Sequence, residues 1–112
     1  MITVAETRSF QRKVNRLLSG DELAELIVYL SMQPNAGVLI QGTGGIRKLR
    51  WARSGRGKSA GVRVIYYYHN EKMPLYLLTL FAKNERADIS LSEKAILAKS
   101  VKVLLKYWSL KK

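Results

Sequence analysis

Phe10, Val14, Leu17 and Leu18 recur at helical spacing, with Arg8, Arg12, Lys13 and Arg16 on the other faces, so a first amphipathic helix is predicted after a short β-prone start at Ile2 to Val4. Ser19 and Glu22 have the spacing of a capping box around Gly20 and open a second helix, whose apolar face is Leu23, Leu26, Ile27 and Leu30. That helix must stop by Gln33, because Pro34 disfavours the α conformation before it, and Asn35-Ala36-Gly37 then turns the chain. Two amphipathic helices in succession form a hairpin that needs something apolar to lie on.

That something is a sheet. Ile46 to Arg53 alternates, with Arg47, Leu49 and Trp51 pointing one way and Ile46, Lys48, Arg50 and Ala52 the other. Ser54 to Gly61 is too glycine-rich for a strand or a helix. Val62 to His69 carries the strongest β signal, and Asn70 to Pro74 reads as a hairpin loop. Leu75 to Ala82 is almost wholly apolar and is expected as a central strand covered on both faces. Ser90 and Glu93 repeat the capping-box spacing, and Leu97, Val101, Leu104, Leu105 and Trp108 mark a last helix. The order is β-α-α-β-β-β-α. It predicts one α+β domain over 1–112, a predominantly antiparallel sheet with an N-terminal helical hairpin and a C-terminal helix.

Composition adds the question of a partner. The 112 residues are 47% apolar, enough for a core, yet the formal charge is +12. Between Glu25 and Glu71 there is no carboxylate, while Arg47, Lys48, Arg50, Arg53, Arg56, Lys58 and Arg63 all fall in that interval. Like charges crowded by folding repel one another, and the simplest account is that the missing anion comes from outside, most commonly a polyphosphate backbone. The residues leave open whether Trp51, Tyr66 and Tyr67 offer stacking faces to unpaired bases or belong to the core. The absence of cysteine excludes disulfides and thiolate metal sites; with His69 the only histidine, no metal and no cofactor is expected. Met1 to Arg8 turns polar at Glu6, and no apolar run approaches the ~20 residues a membrane helix needs. The expected location is cytoplasmic.

Two glycine-rich stretches imitate phosphate-binding motifs and fail. Gly57-Lys58-Ser59 lacks the P-loop glycine five positions earlier, where Ala52 stands, and a strand follows instead of a helix. Gly42-Thr43-Gly44-Gly45 is no dinucleotide fingerprint, since no helix opens there. A single histidine also rules out two-histidine acid/base cleavage of RNA. Clustered cations can do much of the same work: an arginine matches phosphate oxygens as a fixed fork, and a lysine among like charges is pushed toward the range useful for proton transfer. Cation-only catalysis is slow in isolation, so another body must position the substrate.

Ile40 to Trp51, with Gly57-Lys58, Gly61-Val62-Arg63-Val64-Ile65-Tyr66-Tyr67 and Leu77 to Glu85, resembles the central segment of RelE/ParE-superfamily toxins, specifically the HigB-like branch. The resemblance spans about residues 34 to 90 and implies a RelE-like fold and the toxin of a type II toxin–antitoxin pair. It further implies a ribosome-dependent mRNA endoribonuclease that works in the ribosomal A site without a metal. The implied partners are the ribosome, mRNA and a neutralising antitoxin, expected to be of helix-turn-helix type and to carry any contact with operator DNA. Arg63 matches the family's phosphate-binding arginine. Lys83 matches a recurring lysine; Asn84 stands where many relatives carry arginine, and Ser90 near a catalytic tyrosine. Arg47, Lys48 and Arg50 resemble the basic strand of the RNA-binding cluster, joined by Arg56, and alternation does not say which of its faces meets RNA. Lys58 is expected to reach either the scissile phosphate or ribosomal RNA. Glu85 reads equally as a base or as a tie for Arg86 or Lys83. Two other functions share these features: a ParE-like gyrase poison, and a ribosome- or RNA-binding inhibitor that does not cut.

Overall fold

The apolar periodicities become two helical layers on the two faces of one sheet. The computed structural model describes residues 1–52 and 61–111, so Arg56 and Lys58 lie outside the described residues. In chain order the elements are β1 (Val4–Glu6), α1 (Arg8–Leu17), α2 (Gly20–Met32), β2 (Val38–Leu39), β3 (Ile46–Trp51), β4 (Val62–Tyr67), β5 (Leu75–Ala82) and α3 (Leu91–Ser109). The sheet order is β1-β5-β4-β3-β2, antiparallel except where β1 runs parallel to β5. β2 is an addition to the expected order: Val38 and Leu39 pair with Lys48 and Arg47 at the edge. A two-residue strand is too short to show a period.

Both expected capping boxes form. The Ser19 hydroxyl accepts from the Glu22 N–H and the Glu22 carboxylate accepts from the Ser19 N–H, with the same reciprocal pair between Ser90 and Glu93. Each such cap stabilises a helix start by about 1 kcal/mol. α2 ends at Met32, with Gln33 as its C-cap, as the following proline requires. The Gly42-Thr43-Gly44-Gly45 stretch is a turn. Its glycines take φ of 77°, 77° and 112°, and the buried Thr43 hydroxyl donates to Ile40 O while accepting from the Ile46 N–H.

One apolar cluster fills the space between the sheet and the α1–α2 hairpin, with Phe10, Val14, Leu26 and Leu30 against Leu49, Val62, Val64, Tyr66, Leu77 and Leu80. The other joins Ile46, Ile65, Tyr67, Leu78 and Phe81 to Ile89 and Val101, with Leu97, Leu104, Leu105 and Trp108 of α3 packed against it. Tyr66 and Tyr67 are therefore core rather than stacking faces, and Trp51 packs beside Tyr29 at the edge of the first cluster.

A β-bulge decides what the second face carries. Tyr66 pairs with Leu77 but Ile65 pairs with Thr79, so Leu78 is left unopposed and the alternation of β5 shifts by one residue. Leu77 and Leu80 therefore share the hairpin side, while Leu78 and Phe81 share the α3 side. Past β5 the chain turns through Lys83, whose N–H donates to Gly61 O at 3.1 Å, and folds back over the sheet to Ile89. Ile89 is buried in the second cluster and Ser90 begins α3.

Two predictions follow from this packing. Gly37 N–H donates to the Tyr66 hydroxyl at 2.8 Å, and that hydroxyl donates to Pro34 O at 2.8 Å, tying the end of the α2–β2 connection to the sheet. Tyr66→Phe leaves the buried Gly37 N–H without an acceptor and is expected to cost about 1–3 kcal/mol in chemical denaturation. At the other end, the Arg86 guanidinium and the Ser90 N–H hold the Glu93 carboxyl down at about 2. A depressed carboxylate stabilises the fold fully above its unfolded pKa and progressively less as pH falls through its folded one. Acid unfolding is therefore expected to draw on Glu93 between about pH 4.5 and 2, and Glu93→Gln should flatten that part of the stability curve.

Candidate nucleic-acid interface

Strand alternation and register assemble the cations. Arg63 shares a face of β4 with Ile65 and Tyr67, the α3 side. Its cross-strand neighbours are Arg50 on β3 and Phe81 on β5, and Lys48 lies two residues before Arg50, opposite Ile65. Directly opposed residues in a sheet project to the same face, so Lys48, Arg50, Arg63 and Phe81 lie together. α3 covers the part of this face built on Ile46, Ile65 and Tyr67. The row Arg50–Arg63–Phe81 lies beside that covered area.

Arg63 is the unusual member. It is 7% exposed, in the strand at the centre of the sheet. Among the described residues it has no ion pair, and its one hydrogen bond there is a 3.5 Å contact from its Nη1 to Val62 O. Burial, and then the Arg50 charge across the strand, push its pKa below the ordinary arginine value. A buried guanidinium keeps its charge and costs several kcal/mol unless an anion meets it.

The turn after β5 adds residues that the sequence did not single out. Arg86 places its guanidinium 4.7 Å from the Phe81 ring centroid and donates to Glu93 at 2.7 Å. Since Phe81 is the cross-strand neighbour of Arg63, this sets a second guanidinium on the same face of the sheet. The Arg86 Nε–H is buried and has no partner among the described residues. Asp88 crosses the sheet from the same turn and accepts from Lys48 at 3.1 Å. Burial raises the Asp88 carboxyl, but the Ile89 N–H and the Lys48 ammonium outweigh it and the net shift is downward. Neither Arg86 nor Asp88 belongs to a periodic segment, so no spacing signal marks them.

The remaining candidates are placed unevenly. Arg47 stands on the opposite face, where its Nη1 donates to Asn35 O at 3.1 Å and Gly37 O at 2.7 Å, so it is not gathered with the others. Lys83 and Asn84 are exposed at the start of the turn after β5, held beside β4 through the Lys83 backbone. Glu85 pairs with Arg16 of α1, rather than with Arg86 or Lys83. The Ser90 hydroxyl is engaged in capping α3. His69 is exposed, with a 3.4 Å contact to the Tyr67 hydroxyl. Among the described residues no three His, Asp or Glu side chains come together in a way that could hold a metal ion. No helix among them is long and apolar enough to cross a membrane.

The fold and the cations can now be set beside known proteins. The chain is similar to E. coli toxin RelE, solved as an arginine-to-alanine double mutant in the free state, with a TM-score of 0.59 and 16% identity over 88% of this chain and 95% of that one. At that identity the likeness speaks for the fold. The family model describing the RelE toxin of the RelE/RelB toxin–antitoxin system matches residues 3–111. With nearly its whole length matched and the same arrangement of helices around a five-stranded sheet, the chain belongs to the RelE toxin family.

Proposed function

We propose that this toxin is an endoribonuclease that cuts mRNA on the ribosome, without a metal, and that the α3 side of the sheet is its RNA-cleaving surface. The observation that supports it most is Arg63, a buried arginine that pairs with no carboxylate among the described residues. A phosphodiester is the natural complement: its two free oxygens match the arginine fork, and a crowded phosphorane carries more negative charge than the ground state. Arg63 would hold the scissile phosphate, with Arg50, Lys48 and Arg86 around it as further positive charge. Lys83 and Asn84, at the turn beside β4, are proposed to contact the reacting nucleotides, and Lys58 and Arg56 to extend the cationic surface. No histidine stands in this group, and the proton transfers fall to lysine and to the ribosome that presents the message.

Neutralisation by a cognate antitoxin, expected to be a helix-turn-helix protein that also binds operator DNA, belongs to the same proposal. Exposed apolar side chains on α2 and β2, namely Val28, Met32, Val38 and Leu39, are of the kind a protein partner covers. A second reading keeps the cations but removes the cut: a ribosome-binding inhibitor. It is favoured by the commitment of the Ser90 hydroxyl to a cap and by the neutral Asn84.

Mapping RNA ends after incubation with translating ribosomes separates the two. Cleavage within the A-site codon is the expected result, and stalled but intact message would decide for the inhibitor. Arg63→Ala is expected to abolish growth inhibition. Because its charge is unpaired, its loss should leave the melting temperature unchanged or raise it. A fall of several degrees would show instead that Arg63 serves the fold.

A further inference from the structure

Two of the cations on this surface are already occupied, one by Asp88 from the turn between β5 and α3 and one by Glu93 from the first turn of α3. Asp88 meets Lys48 at 3.1 Å on β3, and Glu93 meets Arg86 at 2.7 Å above Phe81 on β5. Arg63 lies on β4, between the two. Adjacent strands are about 4.8 Å apart, so the strand that carries Lys48 and the strand under Arg86 are roughly 10 Å apart, with Arg63, unpaired among the described residues, on the strand between.

We propose that Asp88 and Glu93 stand in for RNA phosphates in the free protein, so that Lys48 and Arg86 are phosphate subsites flanking Arg63 which the ribonucleotide backbone takes over by displacing the two carboxylates. This rests on the RNA-cleaving role given above to the α3 side of the sheet. Three observations carry it. Both ion pairs are partly exposed, with side-chain exposures of 31% and 47% for Lys48 and Asp88 and of 38% and 33% for Arg86 and Glu93. Such pairs hold weakly enough for a multivalent anion to replace them. The Arg86 fork is only part-used, since its Nε–H is buried and lacks a partner among the described residues. A phosphodiester can engage two N–H groups of that fork where the single carboxylate oxygen engages one. Finally, each acid holds the backbone and the cation with different oxygens: Asp88 Oδ1 accepts from the Ile89 N–H and Oδ2 from Lys48, and Glu93 Oε1 accepts from the Ser90 N–H and Oε2 from Arg86, while Ile89 is buried in the second cluster. The acids can release the cations while the backbone stays.

The surrogates also give the free protein a selectivity. An isolated anion has to compete with a tethered carboxylate at each subsite, whereas a strand held across β3, β4 and β5 competes at both while engaging Arg63.

The test is binding of a short, 2′-O-methylated and therefore uncleavable single-stranded RNA to the intact protein, followed by fluorescence anisotropy. Asp88→Asn keeps an acceptor for the Ile89 N–H, and Glu93→Gln keeps one for the Ser90 N–H, so each removes charge with little change of shape. Each is expected to tighten binding about threefold, the scale of a weak ion pair. Asp21→Asn, the same charge change at an exposed position on α2, is expected to do less. The gain from Glu93→Gln should vanish when Arg86→Ala is also present, and the gain from Asp88→Asn when Lys48→Ala is. Unchanged or weakened binding would overturn the proposal. So would a gain matched by Asp21→Asn, or one that survives loss of the partner cation. If Glu93→Gln does not fold, the Asp88 and Lys48 arm decides alone. Arg63→Ala separates this from the wider reading: wild-type RNA binding by that variant removes the whole surface, while weakened binding without any gain at Asp88 or Glu93 removes only the surrogates.

Discussion

A guanidinium fixed near the start of the central strand, with no acid to meet it among the described residues, is the constraint under which the rest of this structure operates. Every residue of β4 is buried, so Arg63 cannot swing into water as a surface arginine does. Its desolvation opposes folding, and Arg50 on the neighbouring strand adds to the cost. Apolar packing on both faces of the same strand offsets it: Val62, Val64 and Tyr66 on the hairpin side, and Ile65 and Tyr67 beneath α3. The sheet is thus stable enough to hold a charge where it is least comfortable. That is the electrostatic condition for a preorganised anion site, because the donor need not reorganise when charge develops.

The bulge in β5 decides what stands on the same face as this arginine. With regular pairing, Phe81 and Leu78 would point to opposite faces, and the aromatic ring would join the hairpin core. The shift of one residue brings Phe81 to the Arg63 side and provides the surface on which Arg86 rests. The turn that follows needs fixed points at both ends to cross the sheet, and it has them in the Lys83–Gly61 backbone bond and the buried Ile89. A one-residue irregularity in β5 therefore decides that the ring under Arg86 lies on the same face as the central arginine.

Much of the fold was legible because it rests on periodicity and on caps. Phe10, Val14, Leu26 and Leu30 occupy the buried positions their spacing implies, and both Ser/Glu capping boxes form. Alternation in β3 correctly divides Leu49 and Trp51 from Ile46. It also divides Arg47 from Lys48 and Arg50, but alternation is symmetric, and only the third dimension shows that α3 and Arg63 lie with the second pair. β5 hid its bulge for the opposite reason: a strand apolar throughout has no polar face against which a slip can register. Arg86 and Asp88 sit in a turn with no period at all, and their partners are set by where that turn crosses the sheet. Glu85 shows the same limit, since Arg16, its partner, lies far back in the first helix.

The acid-free middle of the chain suggested that all the countercharge had to come from outside, and the structure refines that view. Carboxylates from beyond β5 are folded back onto Lys48 and Arg86, at the margins of the cationic face, and among the described residues none reaches Arg63 or Arg50. Full internal neutralisation would stabilise the toxin but leave nothing to attract RNA. A fully unpaired cluster would bind any polyanion in the cell, because phosphate attraction is blind to sequence. Pairing the flanks and leaving the centre bare concentrates the unmet charge at Arg63 and its neighbour Arg50. A single buried arginine is a weak magnet at a distance and a strong one in contact, since its field is unscreened only once water has been excluded. On the function proposed above, such a surface gains most from a message that something else has already brought to it.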